Sequence, residues 1–177
     1  MVIELIRNRR SIRKFQDRPV EKEKIDLLVE AALRAPSAKG YNPWQFIIVD
    51  DKDLLEKLSL SKPHGSSFLK SAPLGIIVCA DDTVDTWAED CSIASTFIKM
   101  TAESLDLKSC WIHIRARQHN ETTSARDYIA KLVNLPERLN ILSIIAIGYP
   151  DAHREPHKAE ELQYEKVSMN HHGHPYH

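Results

Sequence analysis

Three arginines and a hydroxyl stand within five residues near the start of the chain: Arg9, Arg10, Ser11 and Arg13, with Lys14 next in line. A guanidinium presents paired N–H donors that match two oxygens of a phosphate at once. A serine hydroxyl and nearby backbone N–H groups complete such a cradle. Two other readings of the same residues stay open. They could form a solvated basic face or, together with Arg7, a nucleic-acid patch.

A second segment, residues 35–46, reads Ala-Pro-Ser-Ala-Lys-Gly-Tyr-Asn-Pro-Trp-Gln-Phe. Pro36 and Pro43 each fix one φ, so the loop is held rather than slack. Ser37 and Asn42 offer donors and acceptors suited to the edge of a heteroaromatic ring. Trp44 and Phe46 read as core residues. With no ligand, the segment is a capped helix end followed by a turn.

These segments need elements to carry them. Residues 2–9 show helical spacing, with Val2, Leu5 and Ile6 on one face. Residues 21–34 place Ile25, Leu28, Val29, Ala32 and Leu33 on one stripe of an amphipathic helix, which Pro36 stops. Residues 46–49 are a short β-branched run, residues 53–59 a short helix, and residues 61–73 a loop with a helical turn. Residues 74–80 and 141–149 read as buried strands, and 110–114 as a short extended segment. Residues 86–107 form the longest helical pattern, apolar over most of its circumference and therefore expected at the centre. Residues 125–133 form a last helix, ended by Asn134-Leu135-Pro136. The order is α-α-β-α-β-α-β-α-β followed by a polar tail. The expectation is one α+β domain over residues 1–177, with residues 150–177 as an arm that needs something to pack on.

Bulk composition narrows the function classes. The 177 residues are 42% hydrophobic and 28% charged, with a net charge of -1. A chain of that length can bury a full core without disulfides or a metal. Near-neutrality gives no whole-chain argument for nucleic acid or an anionic membrane as partner. No apolar run approaches the roughly 20 residues of a membrane span. The three cysteines, Cys79, Cys91 and Cys110, are odd in number and widely spaced, which points to a reducing compartment and so to the cytoplasm. The five glycines are too scattered for a G-x-G-x-x-G turn or a P-loop. A phosphate would therefore have to be held by side chains, which returns attention to the arginines.

The motifs, taken in order, resemble the nitroreductase family. Arg9-Arg10-Ser11-x-Arg13-x-Phe15 is followed by Ala35-Pro36-Ser37-Ala38 and Pro43-Trp44-x-Phe46. Further along come Ala72-Pro73 with the strand Ile76-Ile77-Val78-Cys79-Ala80, then Trp87 and Asp90 at the head of the long helix. Leu107-Lys108-Ser109-Cys110-Trp111-Ile112, Leu135-Pro136-Glu137, Ala146-Ile147-Gly148-Tyr149-Pro150 and residues 167–170 complete the set. The resemblance spans nearly the whole chain at the spacings of the family's compact form.

That resemblance implies an α-β sandwich with a mixed central sheet flanked by helices. It also implies a homodimer that exchanges terminal arms and holds FMN at the subunit interface. Arg9, Arg10, Ser11 and Arg13 are then expected on the FMN phosphate and ribityl chain. Pro36, Ser37, Ala38 and Asn42 are expected at the ring from the other subunit. Ile112, His113 and Ile114 are expected beside the ring, with backbone N–H groups near its redox-active edge. A basic residue after Gly148-Tyr149-Pro150 completes the phosphate site, with Arg154 and Lys158 as candidates. Three departures matter. Gly40 and Asn42 stand where the family loop has asparagine and glutamine. His113 stands where a small or acidic residue is common, and Lys108 stands where a glycine is usual.

The implied activity is a ping-pong reaction: NADH or NADPH reduces FMN, then a nitro compound, quinone or similar acceptor takes the electrons. The flavin carries the chemistry, so no protein nucleophile is required. Arg10 or Arg13 is a candidate for charge stabilisation at the N1–C2 edge as well as for phosphate binding, and His113 for proton donor or gate. Cys110 reads as a small buried hydrophobe. Six of the nine histidines, His153, His157, His171, His172, His174 and His177, fall in the last 25 residues and are expected to be an exposed tail rather than a physiological metal site. The alternatives are a specialised enzyme of the same family (dehydrogenation, dehalogenation or flavin-consuming chemistry), a flavin-binding protein without turnover, and a nucleic-acid-binding module built on Arg7 to Lys14.

Overall fold

The computed structural model describes residues 1–176. His177, the last histidine of the tail, lies outside the described residues. Among the described residues five α-helices and four strands follow the expected order: α1 (Val2–Asn8), α2 (Lys22–Leu33), β1 (Trp44–Val49), α3 (Lys52–Ser59), β2 (Leu74–Asp81), α4 (Trp87–Ser104), β3 (Lys108–His113), α5 (Ala125–Val133) and β4 (Leu139–Gly148). Local chemistry sets several ends. The Asp51 carboxylate accepts from the Leu54 N–H at 2.7 Å and caps α3, and the Ser124 hydroxyl accepts from the Asp127 N–H at 3.0 Å and caps α5. Asn134, left-handed at φ 53, closes α5 just before Leu135-Pro136.

The strands lie in the order β1-β2-β4-β3. All three ladders are antiparallel, which corrects the mixed sheet expected from the sequence. The reason is the path of α4. It carries the chain from β2 to β3, which run in the same direction, but leaves a strand's width between them. β4 fills that slot running the opposite way. Among the described residues the one parallel pairing is a single bridge, Ser11 to Ser109, on the outer edge of β3.

Both faces of the sheet are covered. On one, Leu28 and Ala32 of α2 and Cys91, Ala94 and Ile98 of α4 pack on Ile76, Val78 and Ile145. On the other, Leu55 and Leu58 of α3 and Ala125 and Ile129 of α5 pack on Ile77, Ile112 and Ile144. Full burial of each such aliphatic side chain is worth about 1.5–3 kcal/mol over exposure. Helix α4 takes the central position expected of it, packing on α1, α2 and all four strands. Its inner side is buried, but Ile93 and Phe97 remain 38% and 39% exposed in the single chain. Helix α1 has no buried residue, and its Val2 and Ile6 are 69% and 52% exposed. From Asp151 to Tyr176 the arm is almost entirely exposed.

Candidate functional site

Residues 9–16 are fastened across one end of the sheet by two sets of backbone contacts. Beside the Ser11–Ser109 bridge, the Ile12 N–H donates to the Ser109 carbonyl at 3.3 Å. Farther on, Phe15 bridges Pro150, the Gln16 N–H donates to the Tyr149 carbonyl at 2.9 Å, and the Asp151 N–H donates to the Lys14 carbonyl at 3.0 Å. Ile12 and Phe15 are buried and anchor the segment, while Arg13 between them is exposed. Gly148 is required here. A Cβ on it would stand 2.5 Å from Cδ of Pro73 and 3.1 Å from the Phe15 ring. Tyr149 is fixed in turn, since its hydroxyl donates to Glu21 at 2.6 Å and accepts from the Lys24 ammonium at 2.9 Å.

Cys110 reports what this fastening assembles. Burial pushes its thiol up, and four neighbours oppose that: Arg13, Lys99, a hydrogen bond from Ser11, and Arg154. All four therefore lie within electrostatic reach of one sulfur. Arg9 joins them through Lys99, whose ammonium is held below its ordinary range by burial first and by Arg9 second. Arg10 is turned aside, its guanidinium donating to the Glu155 carbonyl of the arm. A cavity of about 480 Å³ with Arg10, Lys108 and Arg154 in its wall opens there. Of the two candidates after Tyr149-Pro150, Arg154 reaches the cluster, whereas Lys158 is the N-cap of a short turn at Ala159–Glu161. Among the described residues none of Arg9, Arg13, Arg154 and Lys99 forms an ion pair with a carboxylate. Guanidiniums and an ammonium without carboxylate partners, gathered near a hydroxyl at one end of β3, are a donor set that fits a phosphate dianion.

The far end of β3 carries the other predicted residues. Ser109 and His113 are four residues apart, about 13 Å along the strand. Ile112 and Ile114 turn their side chains inward and could meet a ring only through backbone. They are 1% and 0% exposed and belong to the core beneath the sheet, because strand alternation sends only His113 of the three to the opposite face. The Ile114 N–H is also spent, on the Leu142 carbonyl at 3.0 Å. His113 stacks on Trp111, ring centroids 6.5 Å apart. Its imidazole is held below its ordinary value by burial, then by Arg117, Lys62 and Arg115.

Pro36, Ser37, Ala38 and Asn42 lie ahead of β1, at the opposite edge of the sheet from β3. Three strand spacings of about 4.8 Å separate those edges. The loop is closed on itself. The Ser37 hydroxyl donates to the Asn42 side-chain oxygen at 2.7 Å and accepts from the Asn42 N–H at 2.9 Å. Lys39, Gly40 and Asn42 all have left-handed φ values of 51, 68 and 47. The turn is anchored by Asp90, a buried carboxylate in the first turn of α4, which accepts from the Ala38 N–H at 2.9 Å and from the Thr86 hydroxyl at 3.0 Å.

The nitroreductase family pattern matches residues 6–62, the stretch that holds both the arginine cradle and this loop. A solved FMN-dependent nitroreductase of Clostridium difficile is similar over 96% of this chain and 99% of its own, at 43% identity and a TM-score of 0.94. This chain belongs to the nitroreductase family. A protein of Methanothermobacter thermautotrophicus, provisionally named NADH dehydrogenase/NAD(P)H nitroreductase, is 40% identical over 153 residues, 84% of this chain and 77% of that one. The iodotyrosine deiodinase of Thermotoga neapolitana is 24% identical over 186 residues, 92% of this chain and 95% of that one.

Within this nitroreductase chain, sequence reading missed Lys99, Lys62, Arg115 and Arg117. Lys99 had a signal, being the only cation on α4 in an otherwise apolar stretch. Lys62 and Arg117 had none, because two loops far apart in sequence bring them together.

Proposed function

We propose that the chain is an FMN-dependent oxidoreductase that takes electrons from NADH or NADPH and passes them to nitro compounds, quinones or similar small acceptors. The observation that carries this reading is the unpaired cluster of Arg9, Arg13, Lys99 and Arg154 around Ser11 at one end of β3. His113 waits about 13 Å away at the other end. Arg13, Arg154, Lys99 and Ser11 would hold the phosphate, and the β3 edge would carry the rest of the cofactor toward His113. When bound, FMN supplies two-electron redox chemistry that no side chain provides. His113, its pKa lowered below the ordinary value, presents a neutral imidazole at neutral pH that can accept one proton and donate a hydrogen bond beside the ring.

The working unit is a homodimer of single-domain chains. Supporting this, α1, the outer face of α4 and the arm all expose apolar side chains in the single chain, among them Ile6, Phe97 and Leu162. A groove of about 530 Å³ between α1 and the arm is lined by Ile3, Ile6, Pro156 and Leu162. An open groove with apolar walls of this kind marks a place where another surface packs. The separation of the 36–42 loop from β3 within one chain also favours a ring site completed by a second subunit. Among the described residues no helix is long and apolar enough to cross a membrane. Three free, buried cysteines suit the cytoplasm.

The deciding experiment is a visible spectrum of the purified protein, followed by stopped-flow mixing with NADH and NADPH. Flavin absorbance near one FMN per chain, bleached by either nicotinamide, supports the reading. A colourless protein that takes up no added FMN sinks it and returns the arginine cluster to the nucleic-acid alternative. A second reading, reductive dehalogenation, is favoured by the match to iodotyrosine deiodinase along nearly its full length. Turnover of a halogenated phenol with no turnover of nitro compounds would select it.

A further inference from the structure

We propose that Lys62, His113, Arg115 and Arg117 form an anion-recognition site that takes a carboxylate or phosphate carried by one of the flavin's two substrates. The inference rests on the flavin reading above but concerns a different group of residues. It begins with a turn. At the end of β3 the Ile114 and Arg115 N–H groups both donate to the Leu142 carbonyl, at 3.0 and 3.1 Å, and the Arg117 N–H donates back to the Ile114 carbonyl at 3.0 Å. Ala116 between the arginines is left-handed, at φ 55. A non-glycine residue is strained there, and such strain persists where the surroundings over-determine it. Here they do. The Ala125 N–H fixes the Arg117 carbonyl at 2.9 Å.

A second latch brings in Lys62. The His119 ring nitrogen Nδ1 lies 2.9 Å from the Leu60 carbonyl, and its ring stacks on Tyr128 with centroids 4.0 Å apart. The Tyr128 hydroxyl donates to the Lys57 carbonyl at 2.9 Å. The loop after β3 is thereby tied to the end of α3, and Lys62 comes within the field of Arg117. Arg115 is fixed as well, its guanidinium 5.4 Å from the centre of the Trp87 ring.

The resulting cluster is unneutralised. Among the described residues none of Lys62, Arg115 and Arg117 forms an ion pair with a carboxylate. Arg115 and Arg117 are exposed, and Lys62 and His113 are half-buried, so the cluster is both positioned and accessible. Lys62 is held below its ordinary range by burial and then by Arg117, and His113 responds to all three cations. Positive charge gathered without a partner beside a ring site raises the local concentration of anions and orients them. The near-parallel Trp111 and His113 rings, centroids 6.5 Å apart, put aromatic surface next to the cluster, which suits a planar substrate with an anionic substituent.

The test titrates the FMN-loaded, unreduced protein with matched pairs. 4-Nitrobenzoate is compared with its methyl ester, and 2′,5′-ADP with 5′-AMP. The first pair probes an anion on the acceptor, the second the extra phosphate of NADPH. One anionic member is expected to bind roughly tenfold tighter than its partner at low salt, with the gap closing at high salt. The double variant Arg115→Gln/Arg117→Gln is expected to abolish that gap while leaving FMN content, and turnover of the uncharged methyl ester with saturating NADH, which lacks the 2′-phosphate, within about twofold. A gap lost in the first pair assigns the anion to the acceptor, and one lost in the second assigns it to the donor. No gap in the parent protein, or a gap the variant keeps, overturns the proposal. A variant that changes only the oligomeric state also overturns it and makes the cluster a subunit contact. Protein that binds no FMN would instead mark failure of the flavin reading, and the same titrations run on that protein would still score anion binding by the cluster.

Discussion

The buried carboxylate of Asp90 holds the backbone N–H of Ala38 at 2.9 Å, so the first turn of α4 sets the position of a loop 52 residues earlier in the chain. The same carboxylate takes the Thr86 hydroxyl, and both its oxygens are engaged. Asp90→Ala leaves the Ala38 N–H without its partner. The expected loss is about 1–3 kcal/mol of stability. A larger effect is expected on FMN retention, because residues 36–42 lose their anchor. Thermal melting and flavin fluorescence titration read the two effects separately. Unchanged FMN affinity would detach the loop from the cofactor.

Arg13→Gln and Lys99→Gln each remove one cation from the cluster around Ser11. Losing a charge-assisted contact to phosphate is worth about 1.5–3 kcal/mol, or roughly tenfold or more in FMN affinity. The weakening should disappear when riboflavin, which lacks the phosphate, replaces FMN in the titration. Equal weakening for both flavins would place these residues elsewhere on the cofactor.

Gly148→Ala drives a methyl group to 2.5 Å from the Pro73 ring. Overpacking of this kind costs about 1–3 kcal/mol. The strain falls on the junction that pairs Phe15 with Pro150, so a lowered Tm should come with weaker FMN binding. A variant as stable as the parent would show that Pro73 gives way freely.

The His113 imidazole, buried and then faced by Arg117, Lys62 and Arg115, titrates below its ordinary value of 6.5. The unfolded chain therefore takes up this proton at a higher pH than the folded one. The contribution is present in full above about pH 6.5 and is lost as pH falls toward the folded value. His113→Gln should flatten the pH dependence of the urea midpoint between about pH 5 and 7. Parallel curves for the two proteins would refute the assignment.

Much of this architecture was legible in the residues. The stripe of Ile25, Leu28 and Ala32 marked α2, and Asn134-Leu135-Pro136 marked the end of α5, because each depends on neighbours within one or two turns. Strand order was not legible. Which strands sit beside β4 depends on how α4 crosses the sheet, a contact between segments distant in sequence. The outer apolar face of α4 was legible only in part for a related reason: periodicity reports that Ile93 and Phe97 seek burial, not what buries them. At the candidate site, contiguous motifs pointed to the arginines and the 36–42 loop. Lys62 and Arg117 meet only through the His119 and Tyr128 latch, which no local pattern announces.

The position of β4 has a consequence during synthesis. Among the described residues it follows the other three strands in sequence, yet it lies between β2 and β3 and pairs with both. Until residues 139–148 have left the ribosome, β2 and β3 each present an unpaired edge, and Ile76, Ile77 and Val78 lack their neighbours. Open apolar edges of this kind recruit other chains. A chain released before Leu139 would thus be a seed for aggregation rather than a slightly shorter enzyme, and a stall late in translation would do more harm than one early on.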